Sequence, residues 1–221
     1  MAISIDTVYQ KVLTFANKEQ RGYITPQQFN LFADQAQKEI FEQYFYDLNQ
    51  LARVPGRSEE YSDIVHNLNE KIAVFERADG VGQVLVDNLY RLGTVISNGR
   101  EVEEVQQNEL LYINQSPLTA PTPSRSVYVR TGENTITVTP TSTGITYTYV
   151  STPTKPSWGY VVVNERAMYD SSNKVDFQLH KSEESELVYR ILAFAGISMQ
   201  KPNLAQAAIG LETAKIQQEK Q

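Results

Sequence analysis

The stretch Thr25-Pro26-Gln27-Gln28, followed by Phe29, Phe32, Ala36, Ile40, Tyr44 and Leu48, constrains this chain more than any other. Thr25 is an N-cap residue, Pro26 suits a first helical position where no N–H is needed, and Gln28 completes a capping box. Apolar residues then return every three or four positions for about six turns, which predicts one long helix ending near Leu51. A stripe of that length has to be buried, so the chain must supply packing partners for it.

Helical patterns at both ends of the sequence offer those partners. Asp6 is placed to cap a helix with Val8, Val12 and Phe15 on one face, and Gly22 breaks the chain after it. Pro55-Gly56 interrupts the long helix. Ser58 then opens a third, with Tyr61, Val65, Leu68, Ile72 and Phe75 turned inward. Near the C-terminus, Ser182 precedes Glu183, Glu184 and Glu186, acids that complement the positive end of a helix. Leu187, Val188, Ile191, Leu192 and Ala195 form its apolar face, with Gly196 as its stop. Pro202 and Asn203 start a last helix bearing Leu204, Ala207, Ala208 and Leu211. Lys215 to Gln221 is polar, and is expected to be unstructured alone and to order on a partner.

Between these regions the periodicity changes from helical to alternating. Thr94-Val95-Ile96-Ser97 runs into Asn98-Gly99, a two-residue hairpin turn. Glu109 to Asn114 reads as a short helix, and Ser116 to Pro123 is too rich in proline for regular structure. Val127 and Val129, then Ile136 and Val138, then Ile145, Tyr147 and Tyr149 alternate with polar neighbours, as half-buried antiparallel strands do. Trp158 to Val163 predicts a further strand, and Ala167 to Asp170 a segment ending in a polar turn. The expected class is therefore α+β. Helical parts at 1–80 and 181–221 build one bundle around the long helix, and an antiparallel β-rich lobe at 81–180 is inserted between them.

The residues that carry chemistry are sparse. The chain has no cysteine and two histidines, His66 and His180, each beside or on a helix, where a solvated or capping role is usual. Thiolate and histidine-cluster metal sites therefore lack ligands, and no metal or cofactor is expected. Gly80-Val81-Gly82 lacks the third glycine of a dinucleotide turn and reads as a helix stop and turn. Asp170 and Asp176 lack the spacing of a calcium loop. Glu103-Glu104 and Glu183-Glu184 sit where solvated or capping acids belong, so no catalytic pair is evident and a non-enzyme is expected. The net charge of −6 is spread, with the arginines dispersed among acids, which predicts neither a nucleic-acid groove nor attraction to a membrane surface. No apolar run approaches the roughly 18 residues of a spanning helix, and the N-terminus lacks the pattern of a secretory signal.

Two segments carry a resemblance. The opening from Ile3 to Asp6 and on through Tyr23-Ile24-Thr25-Pro26-Gln27-Gln28-Phe29-Asn30 resembles structural proteins of tailed bacteriophages from marine and environmental sources. The run Lys155-Pro156-Ser157-Trp158-Gly159-Tyr160-Val161-Val162 is similar to the same group. So are Ala167-Met168-Tyr169-Asp170 and Asp176-Phe177-Gln178-Leu179-His180 with the helix after Ser182. Helices flanking a β-lobe also resemble the head-to-tail adaptors of such phages. The resemblance implies a non-catalytic virion protein, made in the bacterial host cytoplasm, that forms a ring (a dodecamer is expected) in the neck. Its implied partners are the portal protein and the next neck or tail component, without a membrane or sequence-specific nucleic acid. The threonine-rich stretch from Thr131 to Thr154 has no counterpart in that group.

Other virion positions fit the same features: another neck ring, a tail-tube component or a head-completion protein. A tail-associated binding module is a further reading, with Tyr147, Tyr149, Trp158 and Tyr160 as an aromatic platform; these residues fit a lobe core equally well. Thirteen tyrosines against one tryptophan suit protein interfaces and half-buried sheets alike. The candidate interface residues are those four aromatics together with Lys215, Gln217 and Gln218 of the polar tail.

Overall fold

A computed structural model describes residues 3–16, 24–53, 59–141, 143–198 and 202–219. The chain mixes helix and strand in the order α1 (Ile5–Ala16), α2 (Pro26–Ala52), α3 (Glu59–Ala73), β1 (Glu76–Val81), β2 (Leu89–Ser97), β3 (Arg100–Glu104), α4 (Gln107–Gln115), β4 (Val127–Gly132), β5 (Thr135–Thr139), β6 (Ile145–Ser151), β7 (Tyr160–Val163), β8 (Arg166–Tyr169), α5 (Glu184–Ser198) and α6 (Pro202–Glu219). It divides into two compact units, one of Met1–Val74 with Pro153–Gln221 and one of Phe75–Thr152. Gly22, Pro55, Gly56 and Ser58, predicted as breaks and a helix start, lie outside the described residues, as does the side chain of Tyr61.

In the first unit the start of α2 follows the sequence closely. Thr25 Oγ1 accepts the Gln28 N–H at 3.2 Å, and Gln28 Oε1 accepts the Thr25 N–H at 3.2 Å, so the capping box is complete. Phe29, Ala36, Ile40 and Tyr44 are buried, while Phe32 is only half-buried and touches Phe194. α2 packs against α3 and α5, and α5 also packs against α1 and α6. α1 begins one residue before the expected cap. Its buried face is Ile5, Val8, Tyr9, Val12 and Ala16, and Phe15 is exposed instead of inward.

Two expectations about the C-terminal helices are corrected. Gly196 does not stop α5, which continues to Ser198; a Cβ there would lie 2.8 Å from the Ala205 nitrogen, so the glycine lets α6 cross closely. α6 runs to Glu219 through the predicted tail. It buries Ala205 and Ala208 and leaves Ala207 and Leu211 exposed. The side chain of Leu204 is not among those described.

Residues 153–180 belong to this helical unit, where the sequence had placed them in the β-lobe. The reason is a set of polar clamps. Gln37, fully buried on α2, donates Nε2–H to the Thr154 carbonyl at 2.8 Å and accepts the Gln178 N–H at 2.9 Å. Ile3 and Phe177 exchange backbone hydrogen bonds, and Asp176 accepts the Ile5 N–H at 3.1 Å. Replacing Gln37 by Leu leaves two backbone groups without their partner, at about 1–3 kcal/mol each. Urea denaturation is therefore expected to show a loss of about 2–4 kcal/mol, and a neutral Leu variant would mean that the amide is not the clamp.

The second unit is a six-stranded sheet in the order β1-β6-β2-β3-β4-β5. Residues 83–85, continuing from β1, bond to the far edge: Leu85 N–H to Asn134 O and Ile136 N–H to Gln83 O, both 2.9 Å. The sheet therefore curls with its two ends linked. Leu85, Val95, Val102, Ile136, Val138, Ile145 and Tyr147 are buried in its core. The predicted Asn98-Gly99 turn joins β2 to β3 with φ of 52° and 74°, and β6 shows the predicted alternation.

The sheet is mixed, not antiparallel as expected. β3 and β4 pair in parallel, Glu103 opposite Val127, because α4 and the proline-rich loop carry the chain back across before β4 begins. Gly80 is likewise not a helix stop. It lies in β1 opposite Tyr147, where a Cβ would come 2.2 Å from the Tyr147 ring, while Gly82 makes the turn at φ 90°. Phe75 O accepts both the Ser151 N–H and the Ser151 hydroxyl, at 2.9 and 3.0 Å, which ties the start of this unit to its end.

Candidate functional site

The four aromatic residues of the expected platform fall into two pairs, and three of the four are buried. Tyr147 and Tyr149 lie in the β-unit core with ring centroids 5.8 Å apart. Burial holds the Tyr149 hydroxyl above its ordinary range, aided by a hydrogen bond to Asp79 and opposed by Arg77. Tyr128, on β4 of the same sheet, is pushed up to about 12 by burial and by its hydrogen bond to Glu104. Such residues set a core; they do not present a flat aromatic surface.

Trp158 is a buried anchor in the helical unit. Its ring packs on Tyr9 at 4.2 Å, its indole N–H donates to Asp6 Oδ1 at 3.0 Å, and its backbone N–H donates to Asn30 Oδ1 at 2.8 Å. Asp6 thus serves the indole. Above the anchor stand Tyr160 and Tyr169, stacked on Trp158 at 5.9 and 5.7 Å. They belong to the β7–β8 hairpin, whose register pairs Tyr160 with Tyr169 and Val161 with Met168. Val161, Val162, Val163 and Met168 are 46–63% exposed. A run of β-branched residues reads as a strand buried on both faces, yet here it projects into solvent. The turn residues Asn164 and Glu165 both have positive φ, 48° and 61°, which gives the tight two-residue loop. Asp170 closes the base by accepting from Ser172 N–H and Asn173 Nδ2, and these bonds lower its carboxyl.

The same unit contains a second concentration of functional groups. Glu183, Glu186 and Arg190 are buried at the start of α5. Glu183 meets Lys71 at 2.7 Å and Lys215 at 3.3 Å, and accepts the Ser182 hydroxyl at 3.0 Å. Glu186 accepts from Arg190 Nε and Nη2 at 3.0 and 2.7 Å, and Lys215 lies 3.4 Å from its other oxygen. Arg190 also reaches Glu212 at 3.1 Å, Glu39 at 3.5 Å and the Gln43 amide oxygen. This network joins α2, α3, α5 and α6. A cleft of about 520 Å³ opens beside it, lined by Ile40, Tyr44, Leu68, Lys71, Glu183 and His180 among others.

Burial and charge drive these two carboxyls apart. Burial raises Glu183, but the hydrogen bond and charge of Lys71 and the charge of Lys215 outweigh it and hold the group below its ordinary 4.5. For Glu186 burial wins over Arg190, and the neighbouring Glu183 adds to it, so the group lies above 4.5. Opposed shifts of this kind can mark an acid and a base. Here all four oxygens are engaged by neighbouring cations or hydroxyls, which makes the pair a tie between helices.

The linkage has a definite sign. Glu183, lowered on folding, contributes stability that is complete above its unfolded value near 4.5 and is lost as pH falls through its folded value. Glu186, raised on folding, does the reverse: the native state gains stability as pH falls through its raised value toward 4.5. Urea titrations across this range are expected to show that Glu183→Gln flattens the limb below 4.5 and Glu186→Gln the limb above it.

Lys215 is therefore held inside the network rather than in a free tail; Gln217 is exposed on α6, and the Gln218 side chain lies outside those described. His66 is exposed, and His180 Nδ1 lies 2.9 Å from Ser182 Oγ at the cap of the turn before α5. Among the described residues there is no cluster of three metal-ligating side chains, and no helix is long and apolar enough to cross a membrane. Compared with protein-family models and with curated proteins, the chain gives no match to either.

Proposed function

We propose that this protein is a virion structural protein of a tailed bacteriophage, a head-to-tail adaptor that forms a ring beneath the portal and links it to the next neck or tail component. The observation that carries this reading is the β7–β8 hairpin, an uncharged β-branched strand set on a packed aromatic anchor with its apolar side chains in solvent. Exposed apolar patches on a rigid support mark protein–protein contact. The segments that carry the resemblance to phage structural proteins, Lys155 to Val162, Ala167 to Asp170 and Asp176 to His180, include most of both strands of this hairpin but not its turn. In this reading the helices from the two ends of the chain build the ring wall, and the inserted β-unit faces the tail side or a neighbour. Twelve copies are expected, assembled in the host cytoplasm and carried in the virion neck.

A symmetry-resolved map of the phage particle tests the assignment. Copies of the chain on the rotational axis between portal and tail are expected. Density for it in the capsid shell or a tail fibre would overturn the adaptor role.

A further inference from the structure

We infer that the cleft between α2, α3 and the α5–α6 pair receives a basic, apolar segment of a partner protein. An aliphatic or aromatic side chain of that segment enters the cleft, and a neighbouring lysine or arginine meets the carboxylates around it. The chemistry of the cleft is the same wherever the chain stands in a particle, so this contact goes beyond the adaptor reading and does not depend on it.

The walls of the cleft are apolar. Ile40, Tyr44 and Leu51 of α2, Ile64 and Leu68 of α3 and Ile216 of α6 line a space of about 520 Å³. A cavity of roughly 150 Å³ accepts one benzene ring, so this space has room for about three groups of that size. Ligand sites fall in the same range of volume, and the side chains that anchor protein contacts fill pockets of this kind. Gln43, Gln50 and Asn67 add carboxamides from two helices. Distributed along a groove, they suit the repeated N–H and C=O groups of a peptide better than one compact molecule.

Charge selects the sign of the occupant. Among the described lining residues the acids are Asp47, Glu70, Glu183 and Glu186, and Lys71 is the one lysine. Lys71 is held by Glu183 at 2.7 Å and lies 5.9 Å from the centre of the Tyr44 ring. Lys215 and Arg190 are likewise held by Glu183 and Glu186, while Glu39 and Glu212 face Arg190. Six carboxyls thus surround three cations, an excess of three negative charges against −6 for the whole chain. Apolar walls of low dielectric concentrate the field of that excess. Glu186 registers it: burial first, and then the Glu183 charge, raise its carboxyl in spite of Arg190 and Lys215. An incoming ammonium or guanidinium offsets the excess. An acidic segment adds to it, and a purely apolar one strips water from the carboxylates while bringing no charge in return.

Three synthetic peptides test this with the purified full chain. They share one pattern of leucine and phenylalanine and carry lysine, glutamine or glutamate at the remaining positions. By fluorescence anisotropy the lysine peptide is expected to bind about tenfold or more tightly than the glutamine peptide, and the glutamate peptide not at all at the same concentrations. Ile64→Trp, which fills the cleft from a half-buried position, should weaken the lysine peptide by about tenfold or more. Glu70→Lys should weaken it by about threefold or more. Glu42→Lys, the same charge change on the exposed side of α2, should leave it within about twofold. Urea unfolding checks that each variant folds as the parent does. If Ile64→Trp unfolds, Ile216→Lys, also at a half-buried lining position, takes its place. Equal loss in Glu70→Lys and Glu42→Lys, with none in the cleft-filling variant, marks general attraction to an acidic protein and overturns the contact. Lysine and glutamine peptides that bind alike, or no binding by any peptide, overturn it too. Phenylethylamine binding as tightly as the lysine peptide makes the cleft a small-molecule site, and self-association of the parent that Ile64→Trp abolishes makes the occupant a second copy. Either result overturns the partner assignment. The adaptor role stands or falls separately, on the particle map.

Discussion

Replacing Arg190 by Met is expected to destabilise the protein by about 3–5 kcal/mol, the range seen when one partner of a buried ion pair is removed. Its guanidinium sits among Glu186, Glu212 and Glu39 with little exposure of its own. Met keeps most of the apolar stem but leaves three carboxylates facing one another, with Lys215 on Glu186 and the Gln35 amide on Glu39 as remaining partners. The Glu186 carboxyl, already raised by burial, then loses the cation that opposes the rise. The variant should therefore recover stability as pH falls from neutral toward 4.5, while the parent recovers less. The double change Arg190→Met with Glu186→Met should restore most of the loss, because a well-packed apolar pair can match a buried salt bridge. Urea unfolding of the three proteins decides the matter. A loss under about 1 kcal/mol in the single variant would show that the network is not what ties α5 to α2 and α6.

Trp158→Ala is expected to cost about 3–5 kcal/mol through lost transfer energy and the cavity left under the hairpin. The ring is buried against Tyr9 and supports Tyr160 and Tyr169 from below. Trp158→Phe keeps most of that packing and removes the indole donor to Asp6, so it should cost less, about 1.5–3 kcal/mol for a bond to a charged acceptor. Amide exchange should rise first in β7 and β8 in the Ala variant, ahead of α2 and α5. Equal protection of the hairpin in the parent and the Ala variant would mean that something other than this anchor orders it.

What could be read from the sequence was local. The Thr25 capping box, the Asn98-Gly99 turn and the alternation of β6 are each decided by neighbours within a few residues, and each is where the sequence placed it. The misplaced features depend on parts of the chain far away. Gly80 looks like punctuation until the Tyr147 ring lies over it, and Gly196 looks like a stop until α6 crosses there. The parallel β3–β4 pair follows from the path of the chain through α4, which no strand pattern encodes.

The candidate sites differ in the same way. Glu183 and Glu186 follow Ser182 just as helix-capping acids do, and their cations come from Lys71 and Lys215 in other helices. One clue was present, the four-residue spacing of Glu186 and Arg190 within the apolar run of α5. For the hairpin, the sequence predicted a strand over Trp158 to Val163, and the exposure of so apolar a strand is itself the signal.

The division of the chain also governs the order in which the molecule can form as it leaves the ribosome. Residues 75–152 are contiguous, so their sheet needs nothing made earlier or later to complete its pairing. The helices made first have no such independence, because α2 waits for Thr154, Gln178 and Arg190 and α1 for Glu184, all made after the sheet. At roughly 5–20 residues added per second, that delay lasts several seconds. During it the apolar face of α2 is without α5, and holding nascent chains apart falls to chaperones. The Trp158 seat and the strands above it are also late products, so the exposed hairpin is made only after every strand of the sheet.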